Sequence, residues 1–444
     1  MLSRTGAARS LPYAVALAWV AYFAVLQWSV VRFKVAIVVT LTLTTLALAA
    51  WLWRRPAVPA ATQRSISLAL LGSALVTAYV PLFSYLSPGG RRWAVGAFIV
   101  GAVVCAVLVQ RPGAATGPLT LGAAVTAYLV GSVIAIVSDP APRIDVWVTL
   151  QQASDGLAHG QNMYAMTWTG SPGIKDAFTY LPWTAVLLAP GRWLAGDVRW
   201  ALVFWTLVAA AGMLALGRGT LAGRRALWAA GPLVALLLLA PGTLTQVDQA
   251  WTEPLLLAGI LWWAVLVRRG HPWWAVVPLA LACASKQHLA LLLPILLLWR
   301  PFGWKRSVAT GALTGVLIAP WFLAGPSDFV HDTISLLVTF HPIKFANTLY
   351  LLALNEFGVT LPFALTGLVV FGTLAAVMWT VWRRQPDLPE LLRWLALMLL
   401  VANLVNKQAF YNQFWLVGAL VAASLATRSS TSSARNVGKT VSAT

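Results

Sequence analysis

The sequence predicts an all-α polytopic membrane protein, and three observations carry that prediction. The chain is 59% hydrophobic and only 10% charged, with a mean hydropathy of +0.78, whereas charged residues make up about a quarter of a soluble domain. Apolar stretches of about 17–22 residues recur along it, near the ~20 residues a helix needs to cross hydrocarbon. Lys and Arg gather in the short connections between these stretches, and Trp51, Trp53, Trp93, Trp299 and Trp304 fall at their ends, where interfacial aromatics belong. The net charge of +19 therefore suits orientation in a membrane and contact with anionic headgroups, not nucleic acid.

The elements follow in order. Spans are expected at about 11–30, 35–53, 65–86, 93–109 and 118–137, forming an N-terminal module over residues 1–137. Arg4 and Arg9 precede the first span without a small-residue cleavage site, which predicts a retained span and not a removed signal peptide. The first acidic residue is Asp139, and residues 138–198 then carry Asp145, Asp155, Asp176 and Asp197 among polar, aromatic, Gly and Pro residues. The positive-inside rule places this loop outside, with Arg32/Lys34 and Arg91/Arg92 counting against the assignment. Residues 199–427 form a second membrane region: spans at about 199–217, 226–241 and 251–267, a hairpin over 272–299, and spans near 307–324, 360–381, 391–405 and 409–426. Arg218/Arg224/Arg225, Arg268/Arg269, Arg300/Lys305/Arg306 and Arg383/Arg384 then lie inside. That parity requires residues 180–195 to be a short interfacial or re-entrant helix and the run around Lys286 to turn back at the outer face, giving about 13 or 14 spans. The Ser/Thr-rich segment 428–444 reads as a disordered cytoplasmic tail. Cys105 and Cys283 lie in apolar segments and read as core residues, not as a disulfide or metal site.

Within the outer loop the pattern from Asp145 is helical. Val146, Leu150, Ala153 and Leu157 form an apolar stripe, and Asp145, Thr149, Gln152 and Gly156 form the opposite face. This predicts an amphipathic helix along the membrane surface with a polar face open to water or a cavity. Asp145 in its first turn suits either a carboxylate favoured by the helix dipole or a catalytic group. Lys286 and His288 interrupt the apolar run 280–299, where a charge is costly unless functional or snorkelling to the interface. Lys407, among Asn403, Asn406, Gln408 and Asn412, has the same character. His331, His341 and Lys344 lie in a second outer segment, where a histidine could assist a substrate or serve structure. Asp248 and Glu253 flank a span start and could bind sugar hydroxyls or cap the helix. No His/Asp cluster has metal-ligand spacing, so no tightly held metal is expected, a weakly bound divalent cation staying open.

The stretch Asp145 to Gly160, then Asn162-Met-Tyr164, then Phe178-Thr-Tyr180-Leu-Pro182 with Pro190, resembles the first outer loop of glycosyltransferase family 87. Gln246 ahead of Glu253-Pro254, and Lys286 within an apolar hairpin, fall where that family carries similar residues. The resemblance is closest over residues 142–306, and Tyr-Leu-Pro departs from an expected Tyr-Pro-Pro. It implies a GT-C-like bundle and transfer of a sugar, mannose first and arabinofuranose second, from a polyprenyl-phosphate donor to a glycolipid or glycan acceptor at the outer face of the cell membrane. No cofactor is implied. Asp145 would be the general base of an inverting reaction. Lys286, His288 and Lys407 would meet the donor phosphate, and Gln152, Tyr164, Tyr180, Gln246, Asp248 and His341 would line the substrates. The competing reading is a secondary transporter, which usually shows paired broken helices in repeated halves; no convincing halves are present. A lipid-carrier flippase or polymer ligase would not need the Asp145 helix.

Overall fold

A computed structural model describes residues 4–55, 61–113, 115–217 and 230–427, with side chains from residue 12 onward. Every regular element among the described residues is helical. The expected basic connection Arg218/Arg224/Arg225 and the tail from 428 lie outside them. The helices are α1 (Arg4–Ser29), α2 (Val35–Arg54), α3 (Gln63–Tyr79), α4 (Pro88–Gln110), α5 (Thr116–Ser138), α6 (Asp145–Ala158), α7 (Trp183–Ala195) and α8 (Arg199–Gly217). After them come α9 (Gly231–Leu238), α10 (Thr243–Asp248), α11 (Glu253–Arg268), α12 (Val276–Cys283), α13 (Leu292–Leu298) and α14 (Gly303–Ala324). The last are α15 (Pro326–Val330), α16 (Leu336–Thr339), α17 (Leu349–Phe357), α18 (Phe363–Arg384), α19 (Leu388–Val405) and α20 (Tyr411–Ala426).

Eight of these, α1, α2, α4, α5, α8, α14, α18 and α19, are long and apolar enough to cross a membrane. The chain is therefore a polytopic membrane protein. Three further helices, α3, α11 and α20, have 17, 16 and 16 residues. The expected span 226–241 ends, and the expected hairpin 272–299 turns, at breaks between helices. The run after residue 230 breaks into α9 and α10 at Pro241-Gly242, where Gly242 takes φ +79° and the Tyr411 ring fills the space a Cβ would need. The hairpin 272–299 consists of α12, a 3-10 turn over Gln287–Leu291 and α13.

Contacts sort the connections into two ends. At one end Arg55 pairs with Glu390 at 3.0 Å, and Arg384 and Arg393 stack over Trp53 and Trp51. Arg306 stacks over Trp273 at that same end, so both feet of the hairpin meet there. Trp299, expected in an interfacial belt, is 3% exposed, because its indole N–H donates to the Pro386 carbonyl. At the other end Asn347 donates to the Arg32 carbonyl at 2.7 Å, Arg32 to Pro81 at 3.2 Å, and Gln287 to Thr179 at 2.9 Å. Lys286 reaches Glu253 at this end, so the hairpin does turn back here. The 13-residue α7 is too short to span, as the parity required.

One apolar core runs from Ala16 to Ala426, joining the first five helices to the later ones. Tyr22 of α1 donates to the Phe414 carbonyl of α20 at 2.7 Å. A second core, with Leu150, Tyr164, Trp168, Phe178, Leu188 and Phe329, lies beneath α6 and α7.

Candidate active site

Asp145 occupies the first turn of α6, and its Oδ1 accepts the Val146 backbone N–H at 2.9 Å. Among the described residues it has no ion-pair partner. Burial raises its pKa above the ordinary carboxylate value, and hydrogen bonds from the Val146 and Ile174 backbones oppose the rise. The loop after the 3-10 turn Met163–Ala165 presses against it: a Cβ on Gly173 would stand 2.6 Å from Asp145 Oδ2. The expected polar face of α6 is only partly open. Thr149 and Gly156 are buried, Gly156 against Met166, because the 163–178 loop covers that side. The open side presents Gln152 of that face, together with Trp147, Gln151 and Asp155, to a surface groove.

The Tyr-Leu-Pro segment is joined to the hairpin tip by backbone. Leu181 N–H donates to Ser285 O and Trp183 N–H to Ala284 O, both at 3.2 Å, and Thr184 Oγ1 donates to Ser285 O at 2.5 Å. This sets Lys286 Nζ over the Tyr180 ring, 5.5 Å from its centroid. Lys286 is also paired with Glu253 at 2.5 Å, with side-chain exposures of 11% and 0%. The Tyr180 hydroxyl is raised well above its ordinary value by burial first, then by the carboxylates of Asp145 and Glu253. Tyr180 thus has Asp145 and the Lys286–Glu253 pair as its charged neighbours. His288 follows Lys286 in the 3-10 turn and is partly exposed.

Beside this cluster the α10–α11 connection is rich in buried polar groups. Asp248 is fully buried, accepts the Tyr85 backbone N–H at 3.2 Å, and is pushed up to about 6 by that burial. Among the described residues, both amide atoms of Gln246, Asp248 Oδ1 and Glu253 Oε2 have no hydrogen-bond partner. Tyr85, on the α3–α4 connection, is raised by burial and then by Asp145 and Asp248, so it stands near both. Other acids have structural partners. Asp197 pairs with buried Arg199 at 2.7 Å and takes the Trp147 indole N–H, and Asp155 pairs with Arg192 at 2.7 Å.

The remaining expected site residues are spread more widely. Tyr164 is 3% exposed, its hydroxyl donating to the Tyr180 carbonyl at 2.9 Å. Gln152 spends both amide ends on the Thr169 backbone, at 2.7 and 3.0 Å. Lys407 Nζ donates to the Val338 and Phe340 carbonyls, each at 2.6 Å, at the C-terminus of α16. His341 is exposed and stacks on Phe340. Asp332 accepts the Phe178 N–H at 2.8 Å and faces His331 at 2.9 Å. The cysteines are buried and free. Among the described residues no group of three or more His, Cys, Asp or Glu could hold a metal ion.

Among family models, that of glycosyltransferase family 87 matches residues 178–406, just over half of the chain. The chain belongs to glycosyltransferase family 87. No curated protein matches it. It is accordingly a membrane glycosyltransferase, with a sugar donor and an acceptor as its substrates.

The family 87 match takes in Tyr180, Gln246, Asp248, Lys286, His288 and His341, and extends well past the 142–306 stretch where the resemblance was closest. It begins after Asp145, Gln152 and Tyr164 and stops one residue short of Lys407. The match therefore does not bear on Asp145, Gln152, Tyr164 or Lys407. Tyr85 and Gly173 were missed by sequence reasoning. Neither carries a periodic signal, and both matter only through what the fold lays beside them.

Proposed function

We propose that this family 87 transferase moves a sugar from a polyprenyl-phosphate donor to a lipid-linked or polysaccharide acceptor at the outer face of the cell membrane, inverting the anomeric carbon. The sugar we favour is mannose, with arabinofuranose second. The observation that supports this best is that Tyr180 has as charged neighbours both Asp145, a partly buried carboxylate with no ion-pair partner among the described residues, and the Lys286–Glu253 pair. The gathering of Arg54, Arg111, Arg269, Lys305 and Arg383 at the opposite end supports an outward-facing site.

Asp145 takes the proton of the acceptor hydroxyl as its oxygen bonds to the anomeric carbon. The bond from that carbon to the phosphate oxygen breaks, and its electron pair leaves on the polyprenyl phosphate. Lys286 meets the developing charge, held in place by Glu253, since a bare ammonium at this depth would be costly. Lys407, already engaged by two carbonyls, serves as an anchor of the 336–341 segment.

The test incubates the purified full chain with labelled polyprenyl-phosphate-mannose and candidate glycolipid acceptors. Asp145→Asn should lower transfer by at least about 100-fold, the lower range of general-base contributions. Wild-type-like transfer by that variant removes Asp145 from the mechanism.

A further inference from the structure

The two feet of the 272–299 hairpin meet in a concavity of about 350 Å³, at the end of the bundle away from Lys286. That volume falls within the roughly 300–1,000 Å³ usual for ligand sites. Trp273, ahead of α12, lines it together with Phe302, Gly303, Trp304, Lys305 and Arg306 around the start of α14. Two cations therefore line it and no carboxylate does. The imbalance reaches further, since the sequence has no acidic residue between Glu253 and Asp328. Among the described residues neither cation has an ion-pair partner. Each is seated on an indole instead. Lys305 Nζ lies 5.7 Å from the Trp304 ring centroid, and the Arg306 guanidinium 5.4 Å from that of Trp273. Arg306 donates one N–H to the Phe302 carbonyl at 2.6 Å, while its Nε is buried without an acceptor among the described residues.

The backbone adds to the positive field. The 22-residue α14 has no acid in its first turn and no side-chain cap at Phe302. N–H groups of that turn thus lack an intrahelical acceptor, and the positive end of the helix dipole stands at the concavity that Gly303 lines. Depth then selects the anion. Trp273, Trp274 and Trp304 are 55%, 71% and 60% exposed, as indoles are at the level of lipid headgroups. The anion presented at that level is a phospholipid phosphate. A zwitterionic headgroup would bring an ammonium that finds no carboxylate in the lining, and both rings there already carry a cation. We propose that this concavity holds one anionic phospholipid, its phosphodiester against Lys305, Arg306 and the first turn of α14. A lipid held there touches both feet of the hairpin whose tip carries Lys286, and it stabilises the folded state as any ligand of that state does. The site is independent of the transferase chemistry, and binding and melting report on it without turnover.

Native mass spectrometry of the purified full chain in detergent, titrated with phosphatidylglycerol or phosphatidylcholine, tests this together with thermal unfolding of the same samples. Wild type should bind one phosphatidylglycerol saturably and melt higher with it, and should bind phosphatidylcholine about fivefold more weakly, for one charge of difference. Lys305→Glu should weaken phosphatidylglycerol binding about 30-fold, a change of two charges beside the phosphate. That variant keeps the fold, because the dipole favours a carboxylate in a first helical turn, so lost binding is not lost structure. A control, Arg54→Gln with Arg111→Gln, also lowers the charge of this end by two, at exposed positions outside the concavity, and should bind as wild type does. No saturable phosphatidylglycerol in wild type overturns the proposal, as does equal affinity for phosphatidylcholine or unchanged binding in Lys305→Glu. An equal loss in Lys305→Glu and in the control also overturns it, by reducing the effect to the general charge of that end. Displacement of the lipid by inorganic phosphate overturns it as well, by making the site one for a soluble anion.

Discussion

Gly173→Ala isolates the position of the Asp145 carboxylate from its identity. The added Cβ would lie 2.6 Å from Oδ2, whereas ordinary contact begins at 3.4 Å, so the carboxylate must withdraw by 0.8 Å. Gly173 is exposed and outside the left-handed region, so the backbone tolerates the change. Stability should move by no more than about 0.5 kcal/mol, as for ordinary surface substitutions. A misplacement of about 1 Å can cost 100-fold in rate, and a 0.8 Å shift should cost about 30–100-fold, or about 2–3 kcal/mol in the barrier. The assay is kcat for transfer from the lipid-phosphate donor, with a thermal unfolding curve on the same sample. An unchanged melting curve with kcat within twofold of wild type would refute the reasoning, because a displaced base cannot keep its rate.

The remaining expectations are shorter. Lys286→Met should destabilise by about 3–5 kcal/mol by leaving buried Glu253 unpaired, and adding Glu253→Gln should recover most of it; thermal unfolding reads both. If the stable double variant still transfers sugar at the wild-type rate, Lys286 has no role at the phosphate. Because burial raises Asp145, kcat/KM should fall with decreasing pH through a midpoint above the usual aspartate value of about 3.9, and a profile flat to pH 4 would contradict a buried base. Asp248 binds its proton more tightly in the fold, about 6 against 3.8, so its stability contribution is full below 3.8 and lost as pH rises toward 6. Asp248→Asn should therefore stabilise by about 2–3 kcal/mol at pH 7.5, with the gain gone by pH 4; no gain at pH 7.5 would count against the burial cost.

Much of this arrangement was legible from short-range pattern. Composition and span-length runs predict the membrane bundle, and basic connections predict which ends gather. The helix from Asp145 follows from its period, since i, i+4 spacing is a local property. What faces that helix is not local. The 163–178 loop brings Met166 against Gly156, so part of the expected polar face is closed and the groove opens beside Gln152. Lys286 stands out as a charge in an apolar run, yet its partner Glu253 lies 33 positions away and is found only when α11 packs against the hairpin. Pro241-Gly242 is the one visible mark of the break between α9 and α10.

The first five helices form an N-terminal module in sequence, and their contacts join them to the site wall. The Tyr85 backbone holds Asp248, and its hydroxyl stands near both Asp248 and Asp145. Arg199, at the start of α8, donates to the carbonyl of Asp139 just after α5, at 2.6 Å, while pairing with Asp197. Asp197 in turn fixes Trp147, two residues beyond Asp145. A chain of hydrogen bonds therefore runs from the end of α5 to the first turn of α6. Buried polar groups arranged this way are costly if a single partner is lost. The orientation of the α6 first turn, and with it the carboxylate, is thus set partly by the N-terminal helices, which share one continuous core with α20.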